Sequence, residues 1–155
     1  MHRNVALATT VAVALAAGGC GGSGSTHTES ARLGKSQLVS KVNAVCAKFN
    51  RQTEVAMAAL GKTTRGSASK DAFERVVASV VRYRTDAADE LGRITPPDAL
   101  QPSYSQFTAD FRKGTALMPT GAQLQTGHDP NAGARTALND RMSGLAKRIG
   151  FRVCY

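Results

Sequence analysis

Apolar residues recur along most of this chain at intervals of three and four positions, the spacing of one face of an α-helix. Four such stripes follow a polar segment over residues 21–34, with short turn-forming stretches between them. We therefore predict an all-α fold, in which residues 36–155 form a four-helix antiparallel bundle. The stripes are Leu38, Val42, Val45, Phe49, Ala56 and Leu60; Phe73, Val77, Val80, Ala87 and Leu91; Leu100, Tyr104, Phe107, Phe111 and Met118; and Leu138, Met142, Leu145 and Ile149.

Residues that start and stop helices give the expected bounds of the first three helices. Ser36 is a candidate N-cap for the first helix, and Gly61 is its candidate stop. Ser67 or Ser69 is expected to cap the second helix. The third helix is expected to open at Pro97, because proline is favoured in a first helical turn.

The connection before the last helix carries no apolar periodicity. Residues 121–131 are therefore predicted to form a polar loop. Asp129 is expected to cap the last helix, with Pro130 at its first position. Gly150 is its expected stop, and a short tail follows.

The N-terminal segment has the order of a bacterial lipoprotein signal. A short start with one arginine precedes an apolar run over residues 5–17, and small residues lead to Cys20. The run is shorter than the roughly 18 residues that a membrane-spanning helix needs. Ala17 stands where a lipobox usually has leucine. An ordinary secretory signal with a chance cysteine, or an uncleaved anchor, are the alternatives.

Cleavage before Cys20 would divide the chain into three parts. Residues 1–19 would be the signal peptide, residues 20–35 the lipidated cysteine with a Gly- and Ser-rich flexible tether, and residues 36–155 the helical domain. We expect acyl chains such as palmitate on Cys20, which would make the membrane itself a partner. The expected location is the extracytoplasmic face of the cell membrane, which argues against nucleic acid as a partner.

The chain is strongly basic, with a formal net charge of +9. A basic domain near a bilayer is attracted to anionic head groups by about 1 kcal/mol per well-placed Lys or Arg. The same positive charge would also attract an envelope protein, an anionic wall polymer or an acidic ligand. Ordinary solvated charges at a helix C-terminus are the alternative explanation. The candidate anion or lipid contacts are Arg141, Lys147, Arg148 and Arg152.

Three cysteines are present, and two remain if Cys20 carries lipid. An exported chain with Cys46 and Cys154 left over suggests one disulfide. Closing the long loop between Cys46 and Cys154 would stabilise the fold by about 4–5 kcal/mol, because the bond lowers the entropy of the unfolded state. A metal site is the competing idea, but two cysteines without a nearby histidine do not supply the four ligands of a zinc site. We expect no metal and no other cofactor.

Residues for catalysis are hard to assemble. His128 with Asp129 would need a serine and a second acid from other helices to make a triad, and helix capping already explains Asp129. Asp86 and Glu90 lie four positions apart and so share one helix face. They could form a cation site, but we favour the interpretation that they belong to a series of ion pairs on the surface. The aromatic residues are expected to fill the core, with a small pocket as the alternative. We expect a non-catalytic protein.

Three short motifs resemble a family of small exported actinobacterial proteins, many of them lipoproteins. The resemblance spans most of residues 36–155 and implies a helical extracytoplasmic domain whose first helix is joined to the tail by a disulfide. It implies no activity. In similar sequences an acidic residue often stands at the position of Asn43. The motifs are Asn43-Ala44-Val45-Cys46, Leu91-x-x-Ile94-Thr95-Pro96-Pro97 and Ala146-x-x-Ile149-Gly150-Phe151-x-x-Cys154.

The sequence therefore predicts a membrane-anchored lipoprotein that binds a partner or ligand outside the cytoplasm. The alternative is a structural envelope protein that docks on anionic lipid or wall polymer through a basic face.

Overall fold

The computed structural model describes residues 33–63 and 70–152. All regular secondary structure in these two ranges is helical, which confirms the all-α prediction, although five α-helices form there instead of four. The predicted signal peptide and most of the predicted tether lie outside the described residues. The helices are α1 (Lys35–Thr63), α2 (Lys70–Gly92), α3 (Gln101–Ala116), α4 (Gly121–Thr126) and α5 (Ala132–Ile149), with a 3-10 turn (Asp98–Leu100) before α3.

One apolar core joins α1, α2, α3 and α5. Phe107 lies at its centre, and its ring centroid is 5.2 Å from that of Phe151, which follows α5. The predicted stripes supply most of the buried side chains, because their spacing places them on the inner face of each helix. The core members include Leu38, Val42, Cys46, Ala87, Leu91, Tyr104, Phe107, Phe111, Met142, Leu145, Ile149 and Phe151.

Both predicted ends of α1 were wrong by a few residues. The helix begins at Lys35, so Ser36 lies inside it. The Gly34 N–H donates instead to Gln37 Oε1 at 2.9 Å, a side-chain bond that satisfies the backbone at the helix start. The helix continues past Gly61 to Thr63. A single interior glycine costs a helix only about 1 kcal/mol relative to alanine, so it does not by itself end one.

The prediction that the third helix opens at Pro97 was wrong, because a 3-10 turn comes before the α-helix. Pro97 precedes the 3-10 turn, and regular α-helix begins only at Gln101. Pro102 consequently falls in the first turn of α3, where its missing N–H breaks no intrahelical bond. The Tyr104 hydroxyl donates to the Leu91 carbonyl at 2.7 Å and fastens the end of α2 to α3.

The predicted polar loop over residues 121–131 was wrong, because α4 forms within it. A capping box starts this helix: the Gln123 N–H donates to Thr120 Oγ1 at 3.2 Å, and the Thr120 N–H donates to Gln123 Oε1 at 2.8 Å. Gly127 ends it in the left-handed conformation, with φ of 67°. Six residues are too few to show a helical stripe in the sequence.

The last helix starts two residues later than predicted and stops as predicted. Asn131 is the residue before α5, while Asp129 Oδ1 accepts the Asn131 N–H at 3.0 Å and so shapes the preceding turn. Gly150 adopts φ of 105°, and its N–H donates to the Ala146 carbonyl at 2.8 Å. A left-handed glycine is the common way to end a helix.

Candidate functional site

The basic residues predicted to contact anions are exposed, but Arg141 is already bound to an acid. Its Nε donates to Asp110 Oδ2 at 3.1 Å, and its Nη2 donates to Asp110 Oδ1 at 3.0 Å. Gln106 Nε2 donates to the same Oδ1 at 3.0 Å. The bond from Arg141 is the main reason that the pKa of Asp110 lies below its usual range, although burial opposes it. The guanidinium of Arg141 is therefore committed to an internal carboxylate.

The surface around Arg141 has mixed charge. Arg141 and Arg148, two helical turns apart on α5, line one shallow groove of about 440 Å³. Asp140 lines it as well and brings a negative charge. Lys147 and Arg152 are exposed. The Arg152 backbone N–H donates to Asn43 Oδ1 at 3.1 Å, so Arg152 lies against α1.

Cys46 lies in the core with 1% of its surface exposed. It is disulfide-bonded. Its predicted partner Cys154, like the predicted lipidation site Cys20, lies outside the described residues. Asn43, one helical turn before Cys46, holds the Arg152 backbone close by. Sequence reasoning did not anticipate this role for Asn43, since an asparagine on a helix gives no sign of a partner 109 positions away.

The acidic residues near the end of α2 form ion pairs with other helices. Glu90 pairs with Lys48 of α1, and Asp89 lies 3.9 Å from Arg112 of α3. Within residues 33–63 and 70–152, no three His, Cys, Asp or Glu side chains come together as metal ligands. Asp89 and Glu90 thus form ion pairs between neighbouring helices, whereas the sequence pattern had favoured ion pairs along one helix.

The Asp129 carboxylate is held by its neighbours. It pairs with Arg135 and accepts the Asn131 N–H. The hydrogen bond from Arg135 is the largest cause that lowers the pKa of Asp129, which favours the ionised form. His128 beside it is exposed. Asp129 therefore has a structural explanation in this turn.

The aromatic residues of α3 fill the core. Tyr104, Phe107 and Phe111 are all at most 3% exposed, and the Phe107 and Phe111 ring centroids lie 6.3 Å apart. Burial raises the pKa of the Tyr104 hydroxyl, which donates to a carbonyl. Tyr83 instead lines an open apolar groove between α1 and α2. The core interpretation of the α3 aromatics holds in the structure.

Arg84 is a candidate functional residue that sequence reasoning missed. Its Cζ lies 4.6 Å from the Phe111 ring centroid, and its Nε donates to Thr115 Oγ1 at 3.2 Å. The sequence signal for Arg84 was the gap of seven positions between Val80 and Ala87 in the apolar stripe of α2, where one apolar residue is missing. Arg84 occupies the inward position within that gap, where a helix on a core normally carries an apolar residue.

Two further surfaces of the described residues are apolar and open. The groove between the last turns of α1 and the first turns of α2 includes Val55, which is 71% exposed. A second groove of about 670 Å³ lies between α2 and the turn before α4, with Val77, Val81 and Met118 in its lining. No other residue in the ranges 33–63 and 70–152 closes either groove.

No family model, curated protein or solved structure matches this chain. None of the helices within the described ranges combines the length and hydropathy that crossing a bilayer requires.

Proposed function

We propose that this protein is a lipid-anchored lipoprotein whose helical domain binds a partner or ligand at the extracytoplasmic face of the membrane, without catalysis. The observation that carries this proposal is the order of the N-terminal segment, in which an apolar run and small residues lead directly to Cys20. The three motifs similar to exported actinobacterial lipoproteins support the same assignment.

The anchor would hold the domain close to the bilayer. The segment between Cys20 and the start of α1 at Lys35 is rich in Gly, Ser and Thr. A flexible chain of that length has a root-mean-square span of about 20 Å and a fully extended reach of roughly 50 Å.

The four longer helices are proposed to form an antiparallel bundle, with α4 as an addition in the last connection. Contacts between α2 and α3 run in opposite order along the two helices, from Leu91 with Tyr104 to Arg84 with Thr115. The bond from Arg141 to Asp110 supports the placement of α5 beside α3.

A disulfide between Cys46 and Cys154 is proposed to close the domain. Cys46 is disulfide-bonded, and the chain has only two other cysteines. Arg152, two residues before Cys154, donates to Asn43 within one turn of Cys46. A Cα separation of about 4.4–6.8 Å, which a disulfide needs, is compatible with that approach.

Mass spectrometry of membrane-extracted protein tests the anchor. We expect a mature chain that begins at an acylated Cys20 and partitions into the detergent phase. Cys20→Ser is the matched variant, and it should move the protein to the aqueous phase and leave its helical circular dichroism unchanged. Wild-type protein with unmodified Cys20 in the aqueous phase would remove the anchored form.

A structural envelope module that docks on anionic lipid or wall polymer is the second candidate. Lys147, Arg148 and Arg152 are exposed near the end of α5 and support it. Arg148→Glu should reduce sedimentation with vesicles that contain phosphatidylglycerol. Arg75→Glu, the same charge change at an exposed site on α2, should have little effect. Equal sedimentation of wild type and Arg148→Glu would contradict this candidate.

A further inference from the structure

Two open grooves meet along one side of α2. The groove of about 670 Å³ beside the turn before α4 shares Val81 and Met118 with a groove of about 420 Å³ between α2 and the end of α3. Together they follow α2 from Glu74 to Asp89. This part of α2 is about 22 Å long, at a rise of about 1.5 Å per residue. We call the joined depression the α2 groove.

The lining of the α2 groove is mostly apolar, and it is left open by the fold. Val77, Val81 and Met118 are only half-buried, whereas the core takes its members on α2 from Ala87 onwards. Met118 stands where the two parts of the groove meet, and an unbranched methionine adapts its shape to what lies against it. A continuous apolar surface of this kind marks a site for a ligand or a partner.

The dimensions of the α2 groove suit one acyl chain. Its two parts each have the volume of a small-molecule pocket, for which about 300–1,000 Å³ is usual. A further helix, about 10–12 Å across, would rest on top of this seam, whereas a chain one methylene wide lies inside it. One leaflet holds an acyl chain within about 15 Å, half of a hydrocarbon core of roughly 30 Å. The groove therefore has room for one chain and the start of a head group.

One end of the α2 groove carries a pair of opposite charges. Arg112 Nη2 lies 3.9 Å from Asp89 Oδ1, both side chains are more than half exposed, and both line the groove. An exposed pair at that distance contributes little to stability, so its two charges remain available to a ligand. Arginine binds phosphate oxygens well, and a carboxylate accepts hydrogen bonds from an ammonium group. At the opposite end Glu74 lines the groove, but its partner Lys70 does not.

We propose that the α2 groove binds a single-chain phospholipid with a zwitterionic head group. The acyl chain lies along Val77, Val81 and Met118, the phosphate lies at Arg112, and the ammonium lies at Asp89. Burial of the chain supplies the affinity, and the two charges set its direction. This inference rests on the proposed function, because a domain anchored at a membrane is held beside phospholipids, and it names the ligand class of that binding module.

Methionine methyl NMR of the full-length Cys20→Ser chain in detergent-free buffer tests the site. This variant carries no acyl chain of its own, and detergent would compete for the groove. The probe is lysophosphatidylethanolamine below its micelle concentration. We expect the Met118 methyl signal to shift saturably. The signals of Met57, which is 51% exposed on α1, and Met142, which is buried in the core, should stay unchanged.

The length of the acyl chain is the second variable. Affinity should rise about twofold to fourfold for each added methylene, because complete burial of one methylene corresponds to about fourfold. An affinity that does not depend on chain length, or an equal shift at Met57, would overturn the site. A Met118 shift caused by concentrating the lipid-free protein would assign the groove to a second copy of the chain and overturn the lipid ligand.

A bulky side chain in the groove should block it. Ala78 is exposed on α2 and lines the groove, and we expect Ala78→Trp to lower the affinity at least tenfold. Ala58→Trp, the same change at an exposed position on α1 outside the groove, is the matched control and should bind as the parent chain does. Equal binding by both variants would contradict the site. The titration of the parent chain decides the question even if Ala78→Trp does not fold.

The head group is tested with lysophosphatidylglycerol of the same chain length, which lacks the ammonium. We expect it to bind at least threefold more weakly, because Asp89 then faces an anion without a cation. Equal or tighter binding would overturn the zwitterionic assignment. Arg112→Gln should weaken lysophosphatidylethanolamine at least threefold.

Failure of this site and failure of the anchor give different results. An acylated Cys20 in wild-type protein, with no Met118 shift in the titration, would remove the lipid ligand and leave the anchored lipoprotein standing. A saturable Met118 shift with unmodified Cys20 in wild-type protein would remove the anchor and leave the groove as a lipid site.

Discussion

At the scale of single residues, the buried carboxylate of Asp110 determines whether the surface residue Arg141 is available to bind an anion. Its side chain is 5% exposed, and it accepts hydrogen bonds from Gln106 and Arg141. A buried carboxylate is tolerated when such donors replace its water. The pair links α3 to α5, and it removes Arg141 from the freely available positive charge of the surface.

Asp110→Asn should destabilise the protein at neutral pH by about 1–2 kcal/mol, because a charge-assisted hydrogen bond becomes a neutral one. The pKa of Asp110 is lowered in the folded state, so its contribution to stability is present above the ordinary Asp pKa and is lost as the pH falls through the folded-state pKa. Urea unfolding followed by circular dichroism at pH 7 and pH 2.5 should therefore show a smaller loss of stability for the variant.

Asp140→Asn is the control for this prediction, because Asp140 is exposed on the same groove. It should unfold like the wild type at both pH values. The role assigned to Asp110 fails if its variant keeps the full wild-type dependence on pH.

At the scale of elements, α4 is held closely against α2. A Cβ at Gly121 would lie 2.7 Å from Glu74 Cγ and 3.0 Å from Glu74 Cα, so the backbone itself must move. Gly121→Ala should therefore destabilise the protein by about 1–3 kcal/mol, the usual cost of overpacking. Thermal unfolding by circular dichroism measures it.

Gly144→Ala in α5 is the opposite case and serves as the control. A Cβ at Gly144 meets nothing within 4 Å. Alanine loses less backbone entropy than glycine on folding, so this change should stabilise the protein by about 0.5–1 kcal/mol. A melting temperature that rises in both variants would show that α4 does not pack on α2 as described.

At the scale of the whole molecule, the two ends of the helical domain meet. Gly150 and Arg152 approach Val39 and Asn43, so the residues directly after α5 lie against the first helix. The proposed disulfide between Cys46 and Cys154 predicts that reduction lowers the melting temperature, by an amount equivalent to at most about 4–5 kcal/mol for a loop of this length.

Thiol alkylation before and after reduction checks the pairing. Cys154→Ser should expose one reactive thiol, Cys46, after denaturation without reductant, whereas Cys20→Ser should expose none. Alkylation of Cys154 in freshly exported wild-type protein without reductant would contradict the disulfide.

Local features of the sequence were sufficient for the four longer helices and for some of their ends, but not for α4. The stripe of α3 from Tyr104 to Phe111 and the stop at Gly150 depend on residues within about four positions, and both appear in the structure. Gly61 shows the limit of such reasoning, because α1 continues past this local stop signal to Thr63.

The sequence by itself determined the helical class, the inward faces and the candidate anchor at Cys20, because each depends on the order of nearby residues. Only the tertiary structure decided that Arg141 belongs to Asp110 and that Arg84 lies on Phe111 without a described counter-charge. The partners in these contacts are 31 and 27 positions apart along the chain. Helical periodicity predicts on which face of a helix a side chain lies. Which charge that side chain contacts depends on how the helices pack.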